Sequence, residues 1–220
     1  MARLKVGVLI SGRGSNLQAL IDACAEPGYP AEIVLVLSNS ADALGIERAS
    51  RAGLKTTVIP HGDFVDREGF EAALDGALRE AGAEFVCNAG FLRILTPWFV
   101  ERWRDRQINI HPSLLPAFPG LHTHERALAA GVRFSGCTVH FVRPAMDKGP
   151  IIVQAAVPVL PDDDAGTLAA RVLAAEHRIF PLALRLVAEG RAKVVGSHVV
   201  IAGSDAPTEA VLNPSDRFMK

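Results

Sequence analysis

Val6-Gly7-Val8-Leu9-Ile10-Ser11-Gly12-Arg13-Gly14-Ser15-Asn16 runs an apolar, β-branched strand straight into a glycine turn and the start of a helix. Further strand-like runs follow at Ile33 to Leu37, Thr56 to Ile59, Phe85 to Ala89 and Gln107 to Ile110, with helix-length stretches between them. Such alternation predicts an α/β fold built on a parallel sheet. One intervening stretch, Asp66 to Glu80, opens on an acidic cap and sets Phe70, Ala73, Leu74, Ala77 and Leu78 on one stripe, as an amphipathic helix does. After Pro112 the pattern changes. A proline-rich connection leads to two strand-like runs, Gly136 to Val142 and Ile151 to Val159, expected as antiparallel additions to the sheet. A long helix is expected from Asp164 to Ala188, with Leu168, Val172, Ala175, Ile179 and Leu186 inward and a kink at Pro181. Beyond Ala202 the chain is polar and rich in turn residues.

The 220 residues, 49% hydrophobic, are enough to bury one full core but not two equal ones. We therefore expect a single domain over 1–201, divided into a phosphate- and nucleotide-binding half (1–105) and a catalytic half (106–201), with 202–220 as a loose tail. A formal net charge of -1 supplies no basic field to draw nucleic acid or anionic membrane, so small molecules are the expected partners. Three widely spaced cysteines, Cys24, Cys87 and Cys137, suggest a reducing compartment rather than a disulfide framework. The apolar stretch Val6 to Ile10 is too short for a signal segment or a membrane span, and the expected location is the cytoplasm.

Three places carry chemistry. In Ser11-Gly12-Arg13-Gly14-Ser15-Asn16 the glycines let backbone N–H groups turn toward an anion at a helix N-terminus. Leu17 stands where a dinucleotide fingerprint has its third glycine, and no Walker lysine follows. A terminal phosphomonoester fits better than a dinucleotide or ATP; a plain tight turn is the bland alternative. In Ile108-Asn109-Ile110-His111-Pro112, alternation sets Asn109 and His111 on one face at the ligand-facing end of a strand. An amide donor beside a protonatable imidazole can cradle an oxygen gaining negative charge in acyl transfer. The turn Met146-Asp147-Lys148-Gly149-Pro150 presents one carboxylate, which beside His111 favours the charged imidazole; an ordinary Asx turn is the alternative. His122, His124, Cys137 and His140 lack a convincing ligand spacing, and no metal is expected. Asp162-Asp163-Asp164 reads as a solvated turn capping the long helix, and Trp98 and Trp103 as core or interface anchors.

Taken together, the Ser-Gly-Xaa-Gly-Ser-Asn loop, Gly90 to Leu95, Asn109 to Pro116, Pro119 to His124, Asp147-Xaa-Gly149-Pro150 and Glu176-His177 occur in one order over about Lys5 to Gly190. In this the chain resembles the glycinamide ribonucleotide formyltransferases, which are folate-dependent formyltransferases. The resemblance implies an open, mostly parallel sheet with a Rossmann-like N-terminal half, antiparallel C-terminal strands and a long C-terminal helix. It implies formyl transfer from 10-formyltetrahydrofolate, a co-substrate, to the amine of glycinamide ribonucleotide in purine biosynthesis, without metal, by a monomer or homodimer. Carried across, Asn109, His111 and Asp147 are the catalytic set. Gly14, Ser15 and Asn16 hold the phosphate and Glu176 contacts the glycinamide amine. Leu92, Arg93, Ile94 and Leu95 line the pterin pocket with Asn109, and Arg67 lies near the folate glutamate. The family often has Met where Leu92 stands, and a more acidic stretch than Arg143-Pro144-Ala145-Met146 before Asp147. A tRNA-acting relative, a formyltetrahydrofolate hydrolase and a non-catalytic nucleotide-binding module are the alternatives. The first two are expected to carry further modules, and the third to lack part of the catalytic set.

Overall fold

Each apolar run becomes a strand in the computed structural model, which describes residues 2–203 and 207–214. β1 (Leu4–Ile10), β2 (Ala31–Ser38), β3 (Thr56–Val58), β4 (Phe85–Asn88) and β5 (Gln107–His111) are parallel. β6 (Phe134–Phe141) and β7 (Ile151–Pro158) add on antiparallel, giving the order β3-β2-β1-β4-β5-β6-β7. The order reverses between β1 and β4, and it is at the carboxyl ends of strands flanking such a switch that open α/β sheets bind ligands.

Helices cover both faces. α1 (Ser15–Ala25), α2 (Leu44–Arg51), α5 (Thr123–Ala129) and α6 (Ala165–Ala188) contribute Leu17, Leu20, Ala49, Ala127, Leu168, Val172 and Phe180 to one buried layer. α3 (Arg67–Glu80) and α4 (Pro97–Arg102) pack Phe70, Leu74, Leu78, Phe99 and Val100 on the other, with Trp103 fully buried beside them. Burying each large apolar side chain is worth about 1.5–3 kcal/mol, so the two layers fix the sheet on both sides. Asp66 caps α3 by accepting from the Gly69 amide at 2.8 Å, as its position predicts. At α6 the acidic run divides its labour. Asp164 forms a capping box with Thr167, while Asp163 is not solvated: its carboxylate pairs with Arg171, whose hydrogen bonds hold it below the usual carboxylate range.

Pro181 lies within α6, and the helix runs on through it to Ala188. The hairpin of β8 (Ala192–Val195) and β9 (His198–Ile201) adds a second small sheet that packs against β7 and α6. In the terminal stretch, Arg191 donates to the carbonyls of Ala202 and Gly203, and Asn213 Nδ2 donates to Val159 O at 3.1 Å. Residues 204–206 and 215–220 of the expected tail lie outside the described residues.

α3 and α4 are joined by one carboxylate. Asp75, 5% exposed, accepts from Trp103 Nε1 at 3.0 Å and pairs with Arg79 and Arg102 at 2.9 Å. Both arginines are partly solvated, so the main loss on removing Asp75 is the stranded indole N–H. We expect Asp75→Ala to destabilise the fold by about 2 kcal/mol. Urea unfolding checks this: a midpoint equal to that of the parent protein would show that the carboxylate does not join the helices.

Candidate active site

The loop after β1 is shaped by contact with α2. Gly14, with φ 70°, is the residue preceding α1, and a Cβ on it would sit 2.5 Å from the Gly45 Cα. The Gly45 amide donates to Gly12 O at 3.0 Å, and Arg48 Nε donates to Arg13 O at 2.9 Å. Held this way, the loop leaves the first amides of α1 without intrahelical partners, and no acidic residue occupies that first turn. Ser11 ties this loop to the next one. Its amide donates to Gly90 O at 3.1 Å, and its Oγ accepts from the Leu92 amide at 2.8 Å while donating to Asn39 Oδ1 at 2.6 Å.

The segment after β4 is pinned at its other end by Glu71, 1% exposed, which accepts from both the amide and the hydroxyl of Thr96. Between these anchors Phe91 and Leu95 point into the core, whereas Leu92 and Ile94 are exposed at 75% and 62%. Large apolar side chains held outward beside a cleft mark a surface for an apolar ligand. Leu92, Arg93, Ile94 and Leu95 all line one cavity of about 750 Å³, together with Asn16, Asn109, His111, Asp147 and Glu176.

β5 carries Asn109 and His111 to the cavity on one face, as alternation predicts, and β6 sets His140 opposite Asn109. The loop from Arg143 returns Asp147 over them. Asp147 has φ 55°, and Gly149 passes so close to β6 that a Cβ there would lie 1.6 Å from Phe141 O. The buried carboxylate accepts from the Gly120 amide at 2.8 Å, stands 3.5 Å from His111 Nδ1 and 3.8 Å from His140 Nε2. His111 Nε2 lies 3.1 Å from Phe118 O. Both ring nitrogens of His111 thus face acceptors, an arrangement that only the doubly protonated ring satisfies.

His140 differs. Its Nδ1 lies 3.0 Å from Phe141 O, which can only accept, so Nδ1 carries the proton. Burial pushes its pKa below the ordinary histidine value, more than Phe141 O and Asp147 push it up. The ring is therefore neutral, and its free Nε2 accepts from Asn109 Nδ2 at 3.3 Å. That contact turns the Asn109 amide nitrogen toward β6 and leaves its second N–H available to the cavity.

On the α1 side, Asn16 Nδ2 donates to Glu176 Oε2 at 2.7 Å, and Asn16 Oδ1 is buried without a partner. Glu176 on α6 is 6% exposed, and burial raises its pKa against the opposing Asn16 bond. Ser15 lies at the loop but lines a separate groove between α1 and α6. Arg67 opens α3, is exposed, and is not among the residues lining the cavity. His124 lines the cavity with Nδ1 buried and unpartnered, while His122 is exposed. Trp103 is a core anchor, and Trp98 is partly exposed with Arg102 stacked on it at 4.9 Å. Among the described residues no group of three His, Cys, Asp or Glu side chains could hold a metal ion. Glu71 and the parts played by Ser11 and His140 lie outside the sequence expectations. Alternation along β6 sets His140 on the face opposite Cys137, and that was the available signal for it.

We expect ¹⁵N NMR at pH 7 to show His140 as the neutral Nδ1–H tautomer, charging at a lower pH than an ordinary histidine. A ring protonated on both nitrogens at pH 7 would contradict the Asn109 orientation derived from it.

Known proteins resemble this chain along most of its length. The Formyl transferase family model matches residues 4–184. The chain is 43% identical over 206 residues to "Phosphoribosylglycinamide formyltransferase" of Escherichia coli strain K12, covering 94% of this chain and 97% of that one. It is 58% identical over 190 residues to "Trifunctional purine biosynthetic protein adenosine-3" of Drosophila pseudoobscura pseudoobscura, covering 86% of this chain but only 14% of that longer protein. The crystal structure of glycinamide ribonucleotide transformylase 1 from Symbiobacterium toebii superposes with a TM-score of 0.89 at 48% identity, covering 90% of this chain and 94% of that one. A glycine loop at a sheet switch point, an Asn–His–Asp cluster at the end of β5 and this likeness along the chain lead to one assignment: the chain belongs to the formyl transferase family.

Proposed function

We propose that this protein transfers the formyl group of 10-formyltetrahydrofolate to the primary amine of glycinamide ribonucleotide, a step of purine biosynthesis. The observation that carries this reading is the convergence in one cavity of Asn109, His111 and Asp147 with Asn16 and Glu176 on one side and Leu92 to Leu95 on the other. It is the arrangement a two-substrate acyl transfer needs. The ribonucleotide phosphate sits on the amides of Gly14, Ser15 and Asn16, and the amine is directed past Glu176. The pterin enters between the exposed Leu92 and Ile94 side chains and the backbone of the same segment, with Arg67 toward the glutamate tail. Partners are these small molecules, and no helix among the described residues is long and apolar enough to cross a membrane.

In the mechanism, the neutral amine attacks the formyl carbon and a tetrahedral oxyanion forms. The free N–H of Asn109 donates to that oxygen, and His111 contributes positive charge beside it. Both His111 nitrogens are engaged, at Phe118 O and toward Asp147, so its contribution in this arrangement is charge; a direct hydrogen bond requires Nε2 to leave the Phe118 carbonyl. Asp147 sustains the imidazolium and accepts the amine proton through water. As the carbon–N10 bond breaks, the proton passes to N10 and the formyl group stays on the amine. Fixing the two substrates in this geometry supplies the remainder of the rate.

Removing one oxyanion donor costs about 3 kcal/mol, so Asn109→Ala is expected to lower kcat about 100-fold while leaving the ribonucleotide KM nearly unchanged. A raised KM with kcat intact would assign Asn109 to binding instead. Asp147→Asn keeps an acceptor for the Gly120 amide but removes the charge beside His111. Steady-state kinetics should show kcat reduced at least as far as in Asn109→Ala, and a kcat within threefold of the parent would remove Asp147 from the proton path.

A further inference from the structure

Two side chains that the mechanism does not use meet where β4 and β5 run side by side. Asn88, at the carboxyl end of β4, lines the cavity and is 6% exposed; Gln107, at the start of β5, is 1% exposed. Gln107 Nε2 donates to Asn88 Oδ1 at 3.0 Å, while Gln107 Oε1 is buried with no partner. Phe91, Leu95 and Val100 belong to one buried apolar cluster with Val142 packed against it, and all four line the same cavity as Asn88. Two carboxamides in an apolar corner, one with an orphaned carbonyl, are unfavourable to bury, and such groups persist in native proteins where something completes them. Gln107 takes the carbonyl of Asn88, so what Asn88 offers the cavity is its amide nitrogen.

We propose that Asn88, oriented by Gln107, is a specificity-determining donor to an acceptor nitrogen or carbonyl on the heterocycle of the folate co-substrate. The inference rests on the formyltransferase reading and refines it. Asn88 lines the same cavity as Leu92 to Leu95, stands just before the Gly90 to Leu95 segment in the chain, and is the register partner of Asn109 across β4 and β5. A flat heterocycle entering there meets apolar walls and one fixed donor. A wholly apolar corner would hold the ring but could not choose among rings of the same shape; a buried donor penalises those that leave it unpaired. Gln107 acts through Asn88 and is a positioning residue.

The test is steady-state kinetics of the full-length protein with both substrates, together with melting temperatures. Asn88→Leu keeps the branched outline of the side chain and removes the donor. It is expected to raise the 10-formyltetrahydrofolate KM about tenfold with the ribonucleotide KM within twofold of the parent. Gln107→Leu leaves Asn88 in place but frees its amide to turn, and raises the same KM by a smaller factor; it decides the matter if Asn88→Leu does not fold. Folate KM values unchanged or lowered in the folded variants, as a simple apolar wall would give, overturn the inference alone. Parent protein that binds no tetrahydrofolate in calorimetry overturns the formyltransferase reading, and the role of Asn88 with it.

Discussion

One hydrogen bond, from the Gly120 amide to Asp147 Oδ2 at 2.8 Å, joins the two segments that close over the end of β5. A buried carboxylate must have partners, and this one finds the Gly120 amide and the His111 ring, with the neutral His140 ring beside them. To reach them the chain adopts a left-handed conformation at Asp147 and passes Gly149 against the Phe141 carbonyl, where no side chain fits. The two histidines beside it then take different states for local reasons. His111 has an acceptor at each nitrogen, whereas His140 has an acceptor at one and the Asn109 amide at the other. One ring between two acceptors and one ring fixed by the Asn109 amide lie within the same few ångströms, so a single carboxylate faces the first while the amide keeps a fixed direction.

The same economy links the loops that follow β1 and β4. Ser11 belongs to the glycine loop after β1, yet its hydroxyl holds the Leu92 amide after β4. The loops flank the strand reversal at β1 and β4, where adjacent connections diverge to opposite faces and leave a crevice. Glu71 secures the far end of the second loop from α3, and Gly45 and Arg48 secure the first from α2. Helices that cover the sheet thus also set the geometry of the cavity, so packing and binding are not separable there.

Much of this was legible in the chain because apolar runs of strand length, separated by helix-length stretches, admit few arrangements. Asn109 and His111 were readable as a pair since period-two alternation aims both at one spot. The same alternation places Gln107 on their face, but a glutamine at a strand start reads as an edge residue until its burial is known. Glu71 and Asp75 read as solvated positions on an amphipathic helix, and only the packing of α4 against them makes them buried anchors. Val194-Val195-Gly196-Ser197-His198-Val199 carries a hairpin signal, two β-branched runs about a two-residue turn, that was passed over beside the stronger pattern of α6. Pro181, where the missing N–H predicts a kink, lies inside α6, which runs as one element from Ala165 to Ala188 with Leu168, Val172, Ile179, Phe180, Ala183 and Leu184 buried.

The most direct test of the account is a spectrophotometric assay of deformylation of a 10-formyl folate by the purified protein, run with and without glycinamide ribonucleotide and repeated with Asp147→Ala. The account predicts deformylation that depends on the ribonucleotide and disappears with the substitution. Release of formate at the same rate without the acceptor would contradict it and make the protein a hydrolase, and tight ribonucleotide binding with no turnover would make it a binding module.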